Sequence, residues 1–275
     1  MTLKITTLIE NKPGEHKVLK YEHGLSLYIE KEDCRILFDT GQSSSFIHNA
    51  EHMQIDLARL DYVVLSHGHY DHSGGFTELT KKNKSFKLFT GPGFFNEKYG
   101  INGNTPEFLG NNFNESFLTD NCIAHQYVTQ QVLEIHSGIY IITGFSRTHA
   151  DEIVNPRFKI LKDNTFVPDQ FEDEIMLAID TPKGLAVLMG CSHPGMKNML
   201  DSAKQFLNKP IYAVIGGTHL VEANEDSLDL SMAYLKKTAI QIISMNHCTG
   251  QTALDRLSST NDRYSLNRTG SFVCI

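Results

Sequence analysis

Within six positions of the stretch VVLSHGHYDHSGG, residues 63–75, the chain places three histidines and one aspartate: His67, His69, Asp71 and His72. Neutral imidazole and carboxylate are borderline ligands that suit zinc, iron or manganese. The apolar run VVLS reads as a buried strand. Side chains two apart at the end of an extended strand, here His67 and His69, point to the same side. Asp71 and His72 follow on a turn in which Gly68, Gly74 and Gly75 permit tight backbone paths. The four side chains can therefore converge with no help from distant residues, at the carboxyl end of a strand, where α/β proteins place their sites. A divalent ion held there would lower the pKa of a bound water to about 7, giving a nucleophile for an ester, thioester, lactam or phosphate centre. Asp71 and His72 are the candidate catalytic residues, Asp71 orienting the nucleophile and able to take its proton.

A metal needs more ligands than one cluster supplies. Three later histidines each follow an apolar run: His193 in AVLMGCSHPG, His219 in YAVIGGTHL and His247 in IISMNHCTG. Strand followed by histidine, repeated, sets such side chains along one sheet edge. Taken singly, each is more often a capped or exposed histidine, and it is the first cluster that makes His193 and His247 ligand candidates. His219 ranks below them, as a group that faces substrate or supports a ligand. Cys191 and Cys248 can ligate as thiolates or serve as small buried apolar residues. In GFSRTHADE, His149 is a further candidate ligand, and Arg147 offers an always-charged fork for phosphate or carboxylate. The alternative for both is a solvated loop. Asp39 is the expected orienting group, because ligating imidazoles donate their second N–H to an outer partner. His48, His52, His125 and His136 fall in helical or loop settings and read as structural.

These residues need strands to carry them. LSLYIE at 25–30 and CRILFDTG at 34–41 read as paired strands, and SFIHNAEHMQIDLARL has helical spacing with Phe46, Ile47, Ala50, Met53 and Leu57 on one face. DYVVLSH is a strand, FTELTKK a short helix and SFKLFTG a strand. Residues 96–121 are rich in Asn and Gly without a clear period, which predicts either a functional cover or a disordered loop. Regular signals resume with HSGIYIITG, the hairpin EIMLAID–TPK–GLAVLMG, and then alternating helices and strands to the closing SFVCI. The reading is one α+β domain over 1–275, two mixed β-sheets with outer helices, and a loop-rich active-site cover at about 94–137.

Composition narrows the partners. With 40% hydrophobic and 21% charged residues the chain has an ordinary globular balance, and its net charge of −7 carries no basic footprint for nucleic acid. KKNK at 81–84 is the densest basic patch and sits in an expected turn. No signal-like start and no apolar run of membrane-spanning length occur, so no membrane association is expected. Five cysteines, an odd number without a CxxC pair, fit a reducing cytoplasm better than a disulfide framework.

HxHxDH at 67–72, with FDTG at 38–41 upstream, resembles the signature of the metallo-β-lactamase superfamily. The resemblance implies an αββα sandwich with a one- or two-metal site. By it, His67, His69 and His193 would hold the first ion, and Asp71, His72 and His247 the second. Most members carry GD after a later strand, whose Asp bridges two metals; this chain has GCSH there, with Cys191 in the carboxylate's place. Histidine at 69, where oxygen-reducing diiron relatives have Glu, argues against that branch. GLSLYIE, ILFDTG, SHGHYDHSGG, FEDE, GCSHPG, IGGTHL and HCTG, in this order, are similar to a subgroup described as dihydropteroate-synthase-like. That subgroup includes 7,8-dihydropterin-6-ylmethyl-4-(β-D-ribofuranosyl)aminobenzene 5′-phosphate synthase.

The expected function is a hydrolase that uses one or two divalent ions, zinc first, with iron or manganese also compatible, on a small phosphorylated substrate. A pterin–arene transferase using the metal as Lewis acid is the alternative, with Arg147 for phosphate and Phe94, Phe95, Tyr99, Phe108 and Phe113 as aromatic walls or, equally, as core-capping residues. A non-catalytic metal-dependent ligand sensor is the reading of another class; the complete ligand cluster speaks against it.

Overall fold

A computed structural model of the chain describes residues 2–275. The chain divides into two compact units, the first made of residues up to 127 with 155–173 and 268–275, the second of 128–154 and 174–267.

The first unit is built on a seven-stranded sheet in the order β17–β1–β2–β3–β4–β5–β8, formed by β1 (Leu3–Ile9), β2 (Ser26–Lys31), β3 (Cys34–Phe38), β4 (Tyr62–Val64), β5 (Lys87–Thr90), β8 (Ala124–Tyr127) and β17 (Phe272–Cys274). Strands β3, β4, β5 and β8 run parallel, the rest antiparallel. Parallel strands are covered on both faces and so read as unbroken apolar runs; Val63, Val64 and Leu65 are fully buried. Helices α1 (Ser45–His52), α2 (Tyr70–Ser73), α3 (Phe76–Thr80) and α4 (Glu115–Asp120) complete the unit. Phe46, Ile47, Phe76, Leu79, Phe94 and Phe113 join its core.

The helix expected to run to Leu60 stops at His52. Gln54 takes a left-handed backbone, and the Asp56 carboxylate accepts the Ala58 N–H, so a 3-10 turn at Leu57–Arg59 replaces the last helical turns. An Asp side chain that bonds a nearby backbone N–H offers the chain an alternative to helix. Met53 and Leu57 still pack into the core.

The stretch at 94–137, expected to be loop-rich, carries regular elements: β6 (Lys98–Asn102), β7 (Thr105–Phe108), α4, β8 and β9 (Val132–His136). With β11 (Phe158–Lys162) and β12 (Thr165–Pro168), β6 and β7 form a four-stranded antiparallel sheet in the order β12–β11–β6–β7. This third sheet departs from the two expected. Every residue of β7 is exposed, so no buried face imposes the alternation that would have revealed it. The aromatic residues split accordingly. Phe94 and Phe113 are core, whereas Tyr99 meets Phe108 and Phe166 edge-on across the small sheet.

The second unit holds a six-stranded sheet in the order β16–β15–β14–β13–β10–β9, adding β10 (Ile139–Ile142), β13 (Met176–Thr181), β14 (Gly184–Met189), β15 (Ile211–Gly216) and β16 (Ile242–Met245). Strands β14, β15 and β16 are parallel. Helices α5 (Met196–Leu207), α6 (Glu225–Lys237) and α7 (Gln251–Thr260) supply crossovers and cover. Met196, Met199, Leu200 and Ala203 of α5 share a core with Val187, Met189 and Val214. Gly216 ends β15 at φ +111°, where a Cβ would lie 2.0 Å from the Met189 carbonyl oxygen. No helix among the described residues is long and apolar enough to cross a membrane.

Candidate metal centre

In the first unit, β4 delivers Ser66 and His67 at its carboxyl end, and the ladder is closed there by Asp39. The Asp39 N–H donates to Val64 O at 2.9 Å, and its Oδ1 accepts the Ser66 N–H at 2.7 Å. Asp39 sits at φ +61°, a left-handed conformation that Asp tolerates better than most residues. Its Oδ2 lies 2.7 Å from His72 Nδ1 and accepts the Ser66 hydroxyl at 2.8 Å. Asp39, Ser66, His67 and His72 are all fully buried. Burial pushes the Asp39 carboxyl above the usual range, opposed by His72 and by the Ser66 hydrogen bonds.

This bracing leaves His72 Nε2 facing Asp71, whose Oδ2 is 3.6 Å away. His67 Nε2 lies 3.1 Å from His69 Nδ1. Two nitrogens held by one tetrahedral ion at about 2.0–2.1 Å each would stand about 3.3–3.4 Å apart, so the pair suits a common ion as well as an N–H···N hydrogen bond. The His67 imidazole is held well below its ordinary pKa by burial and by the neighbouring His72 and His69 rings. It is therefore neutral, with a lone pair to give. Buried imidazoles, an adjacent carboxylate and an outer carboxylate on the far nitrogen of His72 make a donor set that fits a divalent metal.

Gly68, between the two histidines, is held from outside. Its N–H donates to Asp173 Oδ2 at 2.8 Å, and a Cβ would lie 2.2 Å from the Phe94 carbonyl oxygen. The other Asp173 oxygen and Asp169 bind the buried Lys98 ammonium at 2.9 and 2.6 Å. Burial pulls the Lys98 pKa down, but Asp173 and Asp169 outweigh it and the net shift is upward. The ammonium also lies over the Phe171 ring, which packs edge-on against His67 and His69.

In the second unit, three parallel strands bring their following residues to one edge. Cys191 and His193 come after β14, His219 after β15, and His247 with Cys248 after β16. Cys191 Sγ is 3.4 Å from His247 Nε2, and the rings of His193 and His219 have centroids 4.2 Å apart. Glu174, fully buried, accepts the Ser192 and His193 N–H groups on its two oxygens at 2.7 and 3.2 Å. Ser192, His219 and His247 all adopt left-handed backbones, at about 1–3 kcal/mol each for a non-glycine residue. His149 makes a different bond: its Nε2 is 2.8 Å from Asp201, with the ring edge-on to Tyr234. Arg147 is exposed.

Sequence reasoning missed several members. His23 stands 3.2 Å from Asp71 Oδ2, and its only signal was its place just before β2. Ser66 belongs in sequence to the apolar strand run, and the motif FEDE by itself assigns no role to Asp173 or Glu174. Lys98 had no signal, because a lone lysine in a polar stretch reads as solvated.

The family model of the metallo-beta-lactamase superfamily matches residues 20–84, the stretch that carries FDTG and HxHxDH. A solved metal-dependent hydrolase of the β-lactamase superfamily, Tm1679, superposes with a TM-score of 0.85 at 26% identity, covering 98% of each chain. The zinc-bound PqqB of Methylobacterium extorquens shares the fold alone, with a TM-score of 0.61 at 12% identity over 98% of this chain and 99% of that one. The chain belongs to the metallo-β-lactamase superfamily, and its α+β fold is the one expected from the sequence. It is 33% identical over 265 residues to the 7,8-dihydropterin-6-methyl-4-(beta-D-ribofuranosyl)-aminobenzene-5'-phosphate synthase of Methanocaldococcus jannaschii, covering 90% of this chain and 88% of that protein. A second protein of that organism, the uncharacterized MJ0448, is 30% identical over 94% of this chain and 95% of its own.

Proposed function

We propose that this chain is a metal-dependent hydrolase acting on a small, phosphate-bearing molecule. The observation that carries the reading is the buried cluster His67–His69–Asp71–His72 with Asp39 and Ser66 bracing it from behind. A divalent ion held by these donors supplies Lewis acidity and lowers the pKa of a bound water. The chain's own residues do the rest. His67 stays neutral through burial and so keeps a lone pair for an ion. Asp39 holds His72 in one orientation through Nδ1. Asp71, with its Oδ2 between His72 Nε2 and His23 Nε2, orients a nucleophile and can take its proton at that oxygen. The name of Tm1679 as a metal-dependent hydrolase supports this reading.

A second reading, pterin–arene transfer, is favoured by the identity to the methanogen synthase, whose name also supports a phosphorylated substrate. Here the same donors would polarise a leaving group, and no water would attack.

The two part in one experiment on metal-loaded protein. Release of phosphate from phosphomonoesters or cleavage of phosphodiesters supports hydrolysis. Release of pyrophosphate from a pterin diphosphate, only with an aminobenzene partner present, supports transfer and overturns the first reading. Metal below roughly half an equivalent, unchanged in His69→Ala, would defeat both.

A further inference from the structure

We propose that the Cys191 thiolate, together with His247 Nε2, ligates a metal ion through a sulfur and an imidazole donor that both belong to the second unit. This deepens the metal-dependent reading above and rests on it.

The chemistry-bearing atoms of Cys191, His247 and Cys248 lie within 4.8 Å of one another, and all three residues are buried. Their meeting follows from the topology. Cys191 follows β14 and His247 follows β16, two strands that flank β15 in a parallel ladder and end at the same edge. Bonds of about 2.3 Å to sulfur and about 2.0–2.1 Å to imidazole nitrogen, at a tetrahedral angle, set the two donors about 3.5–3.6 Å apart. Cys191 Sγ and His247 Nε2 are 3.4 Å apart.

The two sulfurs have different surroundings. Cys248 Sγ accepts the His219 N–H at 3.3 Å and lies 3.6 Å from the Cys191 carbonyl oxygen. Gly217 makes room for that sulfur, since a Cβ there would be 2.6 Å from it. Cys248 thus ties two strand-end turns together, whereas Cys191 meets an imidazole. His247 holds a left-handed backbone, at φ +51°, with its Nε2 facing the Cys191 sulfur. Where GD is the superfamily pattern, the thiolate keeps the negative charge of the missing carboxylate and adds softness, which favours zinc or iron(II) over magnesium or calcium. Binding breaks the S–H bond, forms a metal–sulfur bond and releases one proton to solvent.

The test is full-length protein loaded with cobalt(II) and read by near-ultraviolet and visible absorption. A sulfur-to-cobalt charge-transfer band is expected. It should vanish in Cys191→Ser and in Cys191→Asp, and persist at essentially full strength in Cys248→Ser. Cys191→Asp restores the carboxylate, so metal content should hold while the band is lost. A loaded protein without the band, or a band that survives Cys191→Asp, overturns the inference. If cobalt binds and His69→Ala releases it, yet no band appears, this inference alone fails and the metal-dependent reading stands.

Discussion

Replacing Lys98 by Met should cost stability, and the cost should depend on pH. The ammonium lies between two carboxylates, Asp169 and Asp173, and the three side chains are all at least nine-tenths buried. Met keeps the stem and removes the charge, leaving two buried anions side by side. Breaking a buried ion pair costs about 3–5 kcal/mol. Proton uptake by one carboxylate sets a ceiling. At pH 7, protonating an acid whose unfolded pKa is about 3.9 costs about 1.4 kcal/mol per unit, or about 4 kcal/mol. At pH 5 the same step costs about 1.5 kcal/mol. Burial already raises the Asp173 pKa and Lys98 opposes it, so loss of Lys98 raises it further. A folded-state carboxyl pKa above the unfolded value gives stability that is present below the unfolded pKa and lost as pH rises through the folded one. Urea unfolding of both proteins at pH 5, 6 and 7 reads this directly. The variant should lose about 3–4 kcal/mol at pH 7 and less than half of that at pH 5. A loss under about 1 kcal/mol at pH 7, or equal losses at both ends, would refute the reasoning. Metal content should fall with it, since Asp173 holds the Gly68 N–H between the candidate ligands His67 and His69.

Two smaller perturbations probe the same frame. Asp39→Asn removes the carboxylate from His72 Nδ1 and should weaken metal binding about 10- to 100-fold by chelator competition; an unchanged affinity would show that Asp39 serves the fold alone. Gly68→Ala adds a Cβ 2.2 Å from the Phe94 carbonyl oxygen and should destabilise by about 1–3 kcal/mol in thermal unfolding, with partial loss of metal; a wild-type Tm would show that the turn can give way.

Legibility in the sequence followed burial and distance along the chain. Strands such as DYVVLSH and the hairpin around TPK were plain because a buried face imposes a pattern. The sheet of β6, β7, β11 and β12 was not, because β7 and β12 are almost wholly exposed and have no buried face to impose a period. Asp39 could be named as an orienting group from the chemistry of ligating histidines. Lys98 could not, because its partners lie 71 and 75 residues away. His149 is a candidate ligand by its position after a strand and Arg147 a candidate phosphate fork in the same stretch; His149 Nε2 lies 2.8 Å from Asp201 and Arg147 is exposed.

By itself the sequence determined that His67, His69, Asp71 and His72 form a candidate metal cluster: four donors in six positions behind an apolar strand need only local geometry to converge. The tertiary structure alone decided what stands behind and beside them. Asp39 reaches His72 across 33 residues, and Cys191 reaches His247 across 56, because parallel strands end at a common edge. Which residues meet there depends on strand order, and strand order is a property of the packed chain that no short stretch of sequence encodes.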